Sequence, residues 1–544
     1  MSSNRPISQL FRLYFGWWLL LISLTTTGQA QTLLYWDTNG AAPGSSAGTT
    51  APGIWDTTTS ANWTTDAAGT TATSTWSAIG SGNQPDVIFA AGTNATGAYT
   101  VTVNGAIDSI NNITFKEGSV TLTGGTLVLE STSTINVLAA QATIASTITG
   151  GGFGVTKVGT GTLNVSGTNT YSGTTSIQAG TLSVNMLANT GLNSALGAPT
   201  TLATGTIAIG ATTTGATLAY TGTGNNTNRV IDLAGTTGGA TLDSSGTGAI
   251  VFTSNFTATG AGSKTLTLTG SSSAANTISG AIVNNSGANT TSLVKSGAGT
   301  WVLSGANTFT GPTTINGGML SIDADNRLGT APVAATANQL VFNGGTLNTT
   351  ASFVLNVNRG TTLSAGGGTI NVNAGTTLSY GGTITGTGTL IKSGTGTLAL
   401  LSSIVLSGEL QLNAGTLALS GYNLTAATLH ITGNSTIDFA GGISTLRATN
   451  FVIDTGVTLT IKNWLNAADY FYTQGWTGAS FNASGSAPMN QVMFTGYNAS
   501  NTRWQSSDFQ ITPVPEPSTY GALLLAGLGT FAGFRRYRRS RHGA

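Results

Sequence analysis

Apolar and polar residues alternate with a period of two along most of the chain, in runs such as Thr162-Leu163-Asn164-Val165, Thr265-Leu266-Thr267-Leu268 and Thr458-Leu459-Thr460-Ile461. That period predicts strands with one face buried. Leu, Val and Ile would point inward, while Thr and Ser face water, where the branched Cβ of Thr favours extended backbone. Gly, Asn or Ser bounds each run, and Gly supplies the positive φ that tight corners need. Helical periodicity is missing outside two hydrophobic ends, so the chain reads as all-β.

Three ungapped 28-residue copies recur, at Lys157–Val184, Lys295–Ile322 and Lys392–Leu419. They share Lys, a Gly-x-Gly pair (Gly159 and Gly161, Gly297 and Gly299, Gly394 and Gly396) and a late Gly-Thr-Leu in the first and third copies. At the corner where the others carry Asn169-Thr170-Tyr171 and Asn307-Thr308-Phe309, the third copy runs through Ser403-Ile404-Val405 with no Asn, so its turn there is expected to be reshaped or lost. Short strands, Gly punctuation and repeats predict a right-handed parallel β-helix, a solenoid in which each turn stacks on the last. One or more β-sandwiches are the alternative. Stacked Thr and Asn ladders suit a low-charge chain, because stacked like charges would repel. The lysine spacings fit turns of roughly 23 to 24 residues, giving about 20 turns and a rod on the order of 100 Å.

Composition narrows the function classes. The chain of 544 residues is 39% hydrophobic, which opposes disorder, and only 6% charged with a net charge of +1, which leaves no field to hold nucleic acid. It has no Cys, so disulfides cannot contribute to its stability even in an oxidising compartment.

The two ends read as addresses. Arg5 and Arg12 precede the apolar run Leu13 to Leu24 and the small-residue site Gly28-Gln29-Ala30, the order of a secretory signal peptide cleaved before Gln31. An uncleaved anchor is the alternative, but the apolar core is short against the roughly 20 residues a bilayer needs. At the other end Val514-Pro515-Glu516-Pro517-Ser518 precedes an apolar segment, Tyr520 to Phe534, and then Arg535, Arg536, Arg538, Arg539 and Arg541. As a transmembrane helix this segment spans roughly 22 Å, short of a ~30 Å hydrocarbon core, so it would anchor with local thinning. The arginines hold its far end in the cytoplasm and leave the body outside. The chain therefore divides into signal peptide (1–30), N-terminal cap and first turns (31–149), solenoid (150–462), C-terminal aromatic cap (463–512) and sorting and anchor segment (513–544).

Pro515-Glu516-Pro517, the apolar segment and the arginine cluster together resemble the PEP-CTERM sorting domain of Gram-negative bacteria. That resemblance implies recognition by an exosortase-type inner-membrane protease, removal of the tail, and passage of the body to the surface. It also implies an association with exopolysaccharide, which makes a matrix glycan the candidate extracellular partner. Lys157 to Val184 and Lys295 to Ile322, and in part the third copy, resemble the autotransporter-associated β-strand repeat, which implies an exported β-helical body. The opening Trp36-Asp37, Trp55-Asp56, Trp63 and Trp76 are similar to those of large secreted proteins with such repeats. A sorting tail stands where an autotransporter has its barrel translocator, so self-export is not expected.

Candidate chemistry is sparse. The 16 acidic residues from Gln31 to Thr512 are scattered, and the closest pair, Asp323 and Asp325, would share one face of an extended strand, as an acid pair or cation site. A polar loop balanced by Arg327 is the competing reading. Gly150 to Gly154 resembles the start of a calcium nonapeptide but lacks its Asp, so calcium-dependent folding is not expected. His430 stands alone before the tail, against a triad or multi-histidine metal site. Lys157, Lys295 and Lys392 read as solvated edge charges that discourage end-to-end pairing. Trp36, Trp55, Trp63 and Trp76 either close the open end of the solenoid or offer ring faces to a glycan. Trp464, Tyr470, Phe471, Tyr472, Trp476, Phe494 and Trp504 read as the opposite cap. The expectation is an exported, non-enzymatic structural or adhesive protein of the envelope or matrix without a cofactor. A glycan-binding module and a carbohydrate-active enzyme are the alternatives.

Overall fold

The computed structural model describes residues 31–80, 84–476, 489–497, 502–505 and 507–513. The signal peptide, Val514 to Ser518, the apolar tail and the terminal arginines lie outside the described residues. What is described is a parallel β-solenoid of about 18 turns, on the order of 85 Å long at ~4.8 Å per turn. Among the described residues no helix is long and apolar enough to cross a membrane.

Four sheets form the faces. A nine-stranded sheet runs from Leu33–Trp36 to Ile231–Leu233, and a fifteen-stranded one from Gly53–Trp55 to Ile384–Gly386. A fourteen-stranded sheet starts at Thr223–Thr227, as the first ends, and a seven-stranded one runs from Phe353–Leu355 to Val492–Phe494. No face therefore continues along the whole described rod. Pairing between turns is parallel, which excludes the sandwich. Among the described residues antiparallel pairs of strands occur only at the two extremities: Trp63–Thr64 against Leu33–Trp36, and the hairpin Thr502–Gln505 with Gln510–Pro513 against Tyr470–Trp476. Such short end strands protect edges that would otherwise template further pairing.

Alternation builds the core directly. Leu163, Leu182, Leu218, Leu242 and Leu268 stack in register and are all buried, each side chain contributing roughly 1.5–3 kcal/mol. The neighbouring outward positions form the ladder Thr162, Thr181, Thr217, Thr241 and Thr267. Thr377, Thr397, Thr416, Thr436 and Thr460 form another. An amide ladder links Ser321, Asn348 and Asn371 by bonds of 3.0 and 2.6 Å. Turn length is not constant: Leu163 is followed in register by Leu182, but Leu182 only by Leu218, because a long loop intervenes.

Candidate functional site

The recurrent lysines are core residues, which corrects their reading as solvated edge charges. Lys157 lies in register between Ile135 and Ile177, Lys295 between Leu268 and Ile315, and Lys392 between Ile370 and Leu412. All three are fully buried. The cause is parity: Val155, Leu293 and Leu390, two positions earlier, already point inward. Each ammonium reaches the adjoining corner and donates to three main-chain carbonyls. Lys157 Nζ meets the oxygens of Val158 (2.8 Å), Gly159 (2.9 Å) and Ala179 (3.1 Å). Lys295 repeats this on Ser296, Gly297 and Gly317, and Lys392 on Ser393, Gly394 and Ala414. The third acceptor sits on the next turn, so the side chain ties two turns together. Burial pushes each lysine down from 10.5 to about 8. Gly180, Gly318 and Gly415 close these corners at positive φ, and a Cβ on Gly180 would come within 2.6 Å of the Gly159 oxygen.

A second corner device joins the first two copies. The Asn169 side chain accepts from Ile148 N–H (2.7 Å) and donates to the Ala195 carbonyl (2.7 Å). Asn307 does the same with Ile282 N–H (2.7 Å) and the Arg327 carbonyl (2.6 Å). Past each corner the chain runs through a Leu-Gly pair, Leu196-Gly197 or Leu328-Gly329, on which a buried arginine from the next turn closes. Arg229 donates to the carbonyls of Leu196 (2.5 Å) and Gly205 (2.8 Å). Arg359 donates to those of Leu328 (3.0 Å) and Gly329 (2.6 Å). The recurring Leu-Gly and Asn-Arg pairs (Asn228-Arg229, Asn358-Arg359) were the available signal, outside the 28-residue copies. In the third copy the corner is gone: Ser403 precedes one long strand, Ile404–Leu412.

The acidic candidates are separated rather than brought together. The strand ends at Ile322, and a short 3-10 helix, Asp325–Leu328, breaks the alternation that would have put Asp323 and Asp325 on one face. Asp323 pairs with Arg327 (2.6 Å), as the polar-loop reading had it, and Asp325 with the buried Arg359 (2.9 Å). His430 bridges two turns, with Nδ1 3.1 Å from Glu409 and Nε2 3.0 Å from Asp454. Burial pulls its pKa down, but Asp454 and Glu409 outweigh this and raise it. The two carboxylates occupy opposite ring nitrogens, so they do not converge on one point. Among the described residues no three His, Asp or Glu groups could hold a metal.

Residues 155–184, 293–322 and 390–419 match the passenger-associated-transport-repeat, and residues 513–539 match the PEP-CTERM protein-sorting motif. The chain carries three transport repeats and a sorting motif. Over 173 residues it is 40% identical to the adhesin BmaC autotransporter of Brucella suis biovar 1 (strain 1330), a stretch covering 31% of this chain and 5% of that protein. No solved structure matches the chain.

The transport repeats sit between two aromatic groups. At the start Trp36, Trp55, Trp63 and Trp76 are fully buried and packed edge to face, with Trp55 and Trp63 4.9 Å apart and Phe89 completing the cluster. Their ring faces are spent on one another, so none is turned outward as the glycan-contact expectation required. Beyond the third transport repeat, the C-terminal aromatic group splits by parity. Trp464, Phe471, Phe494 and Trp504 are buried, whereas Tyr470 and Tyr472 point outward. An open, uncharged groove of about 500 Å³ lies over the second threonine ladder, lined by Thr416, Thr436, Thr460, Asn434 and Met493.

Proposed function

We propose that the chain is an exported, non-enzymatic structural and adhesive protein of the cell surface or extracellular matrix, sorted by an exosortase-type system. The observation that carries this reading is the combination of a stacked body bearing transport repeats with a C-terminal sorting motif. The stretch similar to an adhesin supports the adhesive part. In this reading residues 1–30 are removed on export, the aromatic groups at 31–149 and 463–512 cap the rod, and Val514 to Ser518 direct tail removal. Arg535, Arg536, Arg538 and Arg539 hold the tail's cytoplasmic end beforehand.

The acids at the repeats support a non-catalytic role. Asp323 and Asp325 are each committed to a different arginine, so neither is poised as an acid or base. Fractionating cells and reading the C-terminus of the exported protein by mass spectrometry tests the sorting. Protein ending before the arginine cluster is expected, and an intact arginine end on exported protein overturns it. Loss of surface attachment in cells lacking the protein tests the adhesion.

A further inference from the structure

At its last turns the fourteen-stranded sheet changes character on its outward face. Thr445–Ile453 is followed in space by Tyr470–Trp476, then by Gln510–Pro513 and Thr502–Gln505. Leu446, Phe471, Ile511 and Trp504 are buried, so Arg447, Tyr470, Tyr472, Gln510 and Arg503 face outward. The register sets Arg447 beside Tyr472, Tyr472 opposite Gln510, and Arg503 opposite Thr512.

The side chains on this face are arranged rather than loose. The rings of Tyr470 and Tyr472 lie parallel, 7° apart in plane with centroids 5.4 Å apart. The Arg447 guanidinium sits 4.3 Å from the Tyr472 centroid. With its amide oriented to satisfy both ends, Gln505 accepts from Arg503 at 2.8 and 3.2 Å and donates to Asp508 at 3.3 Å. Two guanidinium groups thus flank an aromatic pair across three strand spacings, roughly 14 Å. Among the described residues neither arginine is in an ion pair, and the ladders elsewhere on the outer faces are largely Thr, Ser and Asn.

This juxtaposition selects a ligand chemistry. Tyrosine rings offer apolar surface with a polar rim, which suits the C–H faces of sugar rings. A guanidinium outside any ion pair can still donate to a carboxylate, Arg503 from the nitrogen that does not hold Gln505. Two cations are too few to hold a nucleic-acid backbone, but they match an acidic group repeated along a sugar chain. We infer that this face binds an acidic polysaccharide, sugar rings against the outward edges of the stacked Tyr470 and Tyr472 and carboxylates on Arg447 and Arg503. The inference rests on the adhesive reading above and gives it a site and a ligand class.

The test uses the full chain in mild detergent, with polygalacturonate as the probe and uncharged dextran as the comparison. Polygalacturonate should bind and dextran should not, and binding should weaken with added salt. The pair Y470A/Y472A should weaken binding about tenfold or more. R447Q/R503Q should remove the salt dependence along with most of the affinity, and R447K/R503K, which keeps charge but not the guanidinium, should restore only part. Equal binding of dextran, or unchanged binding by the tyrosine and glutamine variants with native circular dichroism, overturns the site. Cells displaying the four-residue variant that still attach as wild type, while cells lacking the protein do not, would remove this site and leave the adhesive reading intact. If cells lacking the protein attach normally, it is the adhesive reading that fails.

Discussion

The first two transport repeats and the third keep the same lysine cage but differ at the corner that follows it. Lys157, Lys295 and Lys392 each donate to three carbonyls, whereas the buried corner asparagine exists only as Asn169 and Asn307. The two devices are therefore separable. The cage belongs to the stacking of one turn on the next, since its third acceptor always lies on the following turn. The asparagine belongs to the long excursion through Leu-Gly, and where that excursion is absent a plain strand, Ile404–Leu412, takes its place.

Removing the cage should have the largest effect. K295M and K392M each leave three buried carbonyls without their donor and should cost about 3 kcal/mol. Faster local amide exchange in the two turns that each lysine joins is the measurement, and equal losses in the two repeats would confirm that the cage ignores the corner. The corner itself comes next: N307A should cost about 2 kcal/mol and expose the Ile282 amide to exchange. The third repeat has the buried Ile404 at this position, and I404N should not restore the device but destabilise by about 2 kcal/mol, because no excursion offers the new amide a carbonyl.

The pH response should be common to all three repeats. Each lysine titrates near 8 when folded and 10.5 when unfolded, so between those values the unfolded chain binds more protons and stability rises with pH. The gain is on the order of 1 kcal/mol per lysine between pH 8 and pH 9. Above about 10 the sign turns, because Tyr171, Tyr220 and Tyr380 are raised by burial, Tyr380 to about 12, and the unfolded chain loses tyrosine protons that the folded chain keeps. Denaturation midpoints should therefore peak near pH 10, and K392M should reduce the rising slope by one lysine's share. The smallest effect separates the first repeat from the second. Arg359 has Asp325, three residues before its Leu-Gly pair, whereas the same place in the first repeat holds the exposed Asn193 and Arg229 keeps one buried nitrogen without a partner. N193D should stabilise the first repeat by about 0.5–1 kcal/mol, read as slower exchange at Leu196.

Much of this was legible from alternation alone. The period of two, the Gly corners and the three copies yield a stacked all-β body, and the loss of Asn from the third copy's corner marked the altered turn. The lysines were legible too, had the parity from Val155 to Lys157 been followed instead of the general solvation of charge. The same count through Tyr470-Phe471-Tyr472 separates cap from surface. Other features depend on which turn lies next to which. His430 meets partners on the turns before and after, and Asp325 finds Arg359 across a turn, so uneven turn lengths hide both. The replacement of one sheet by another along the rod has no local signal, because it follows from where each loop happens to fall.

The parallel pairing also sets how the rod bears load. Bonds between turns run along its length, so tension applied at the two extremities opens them one row at a time, like a zipper, instead of shearing many at once. A tether built this way yields gradually, and the three ammonium ties are the places where such peeling should pause.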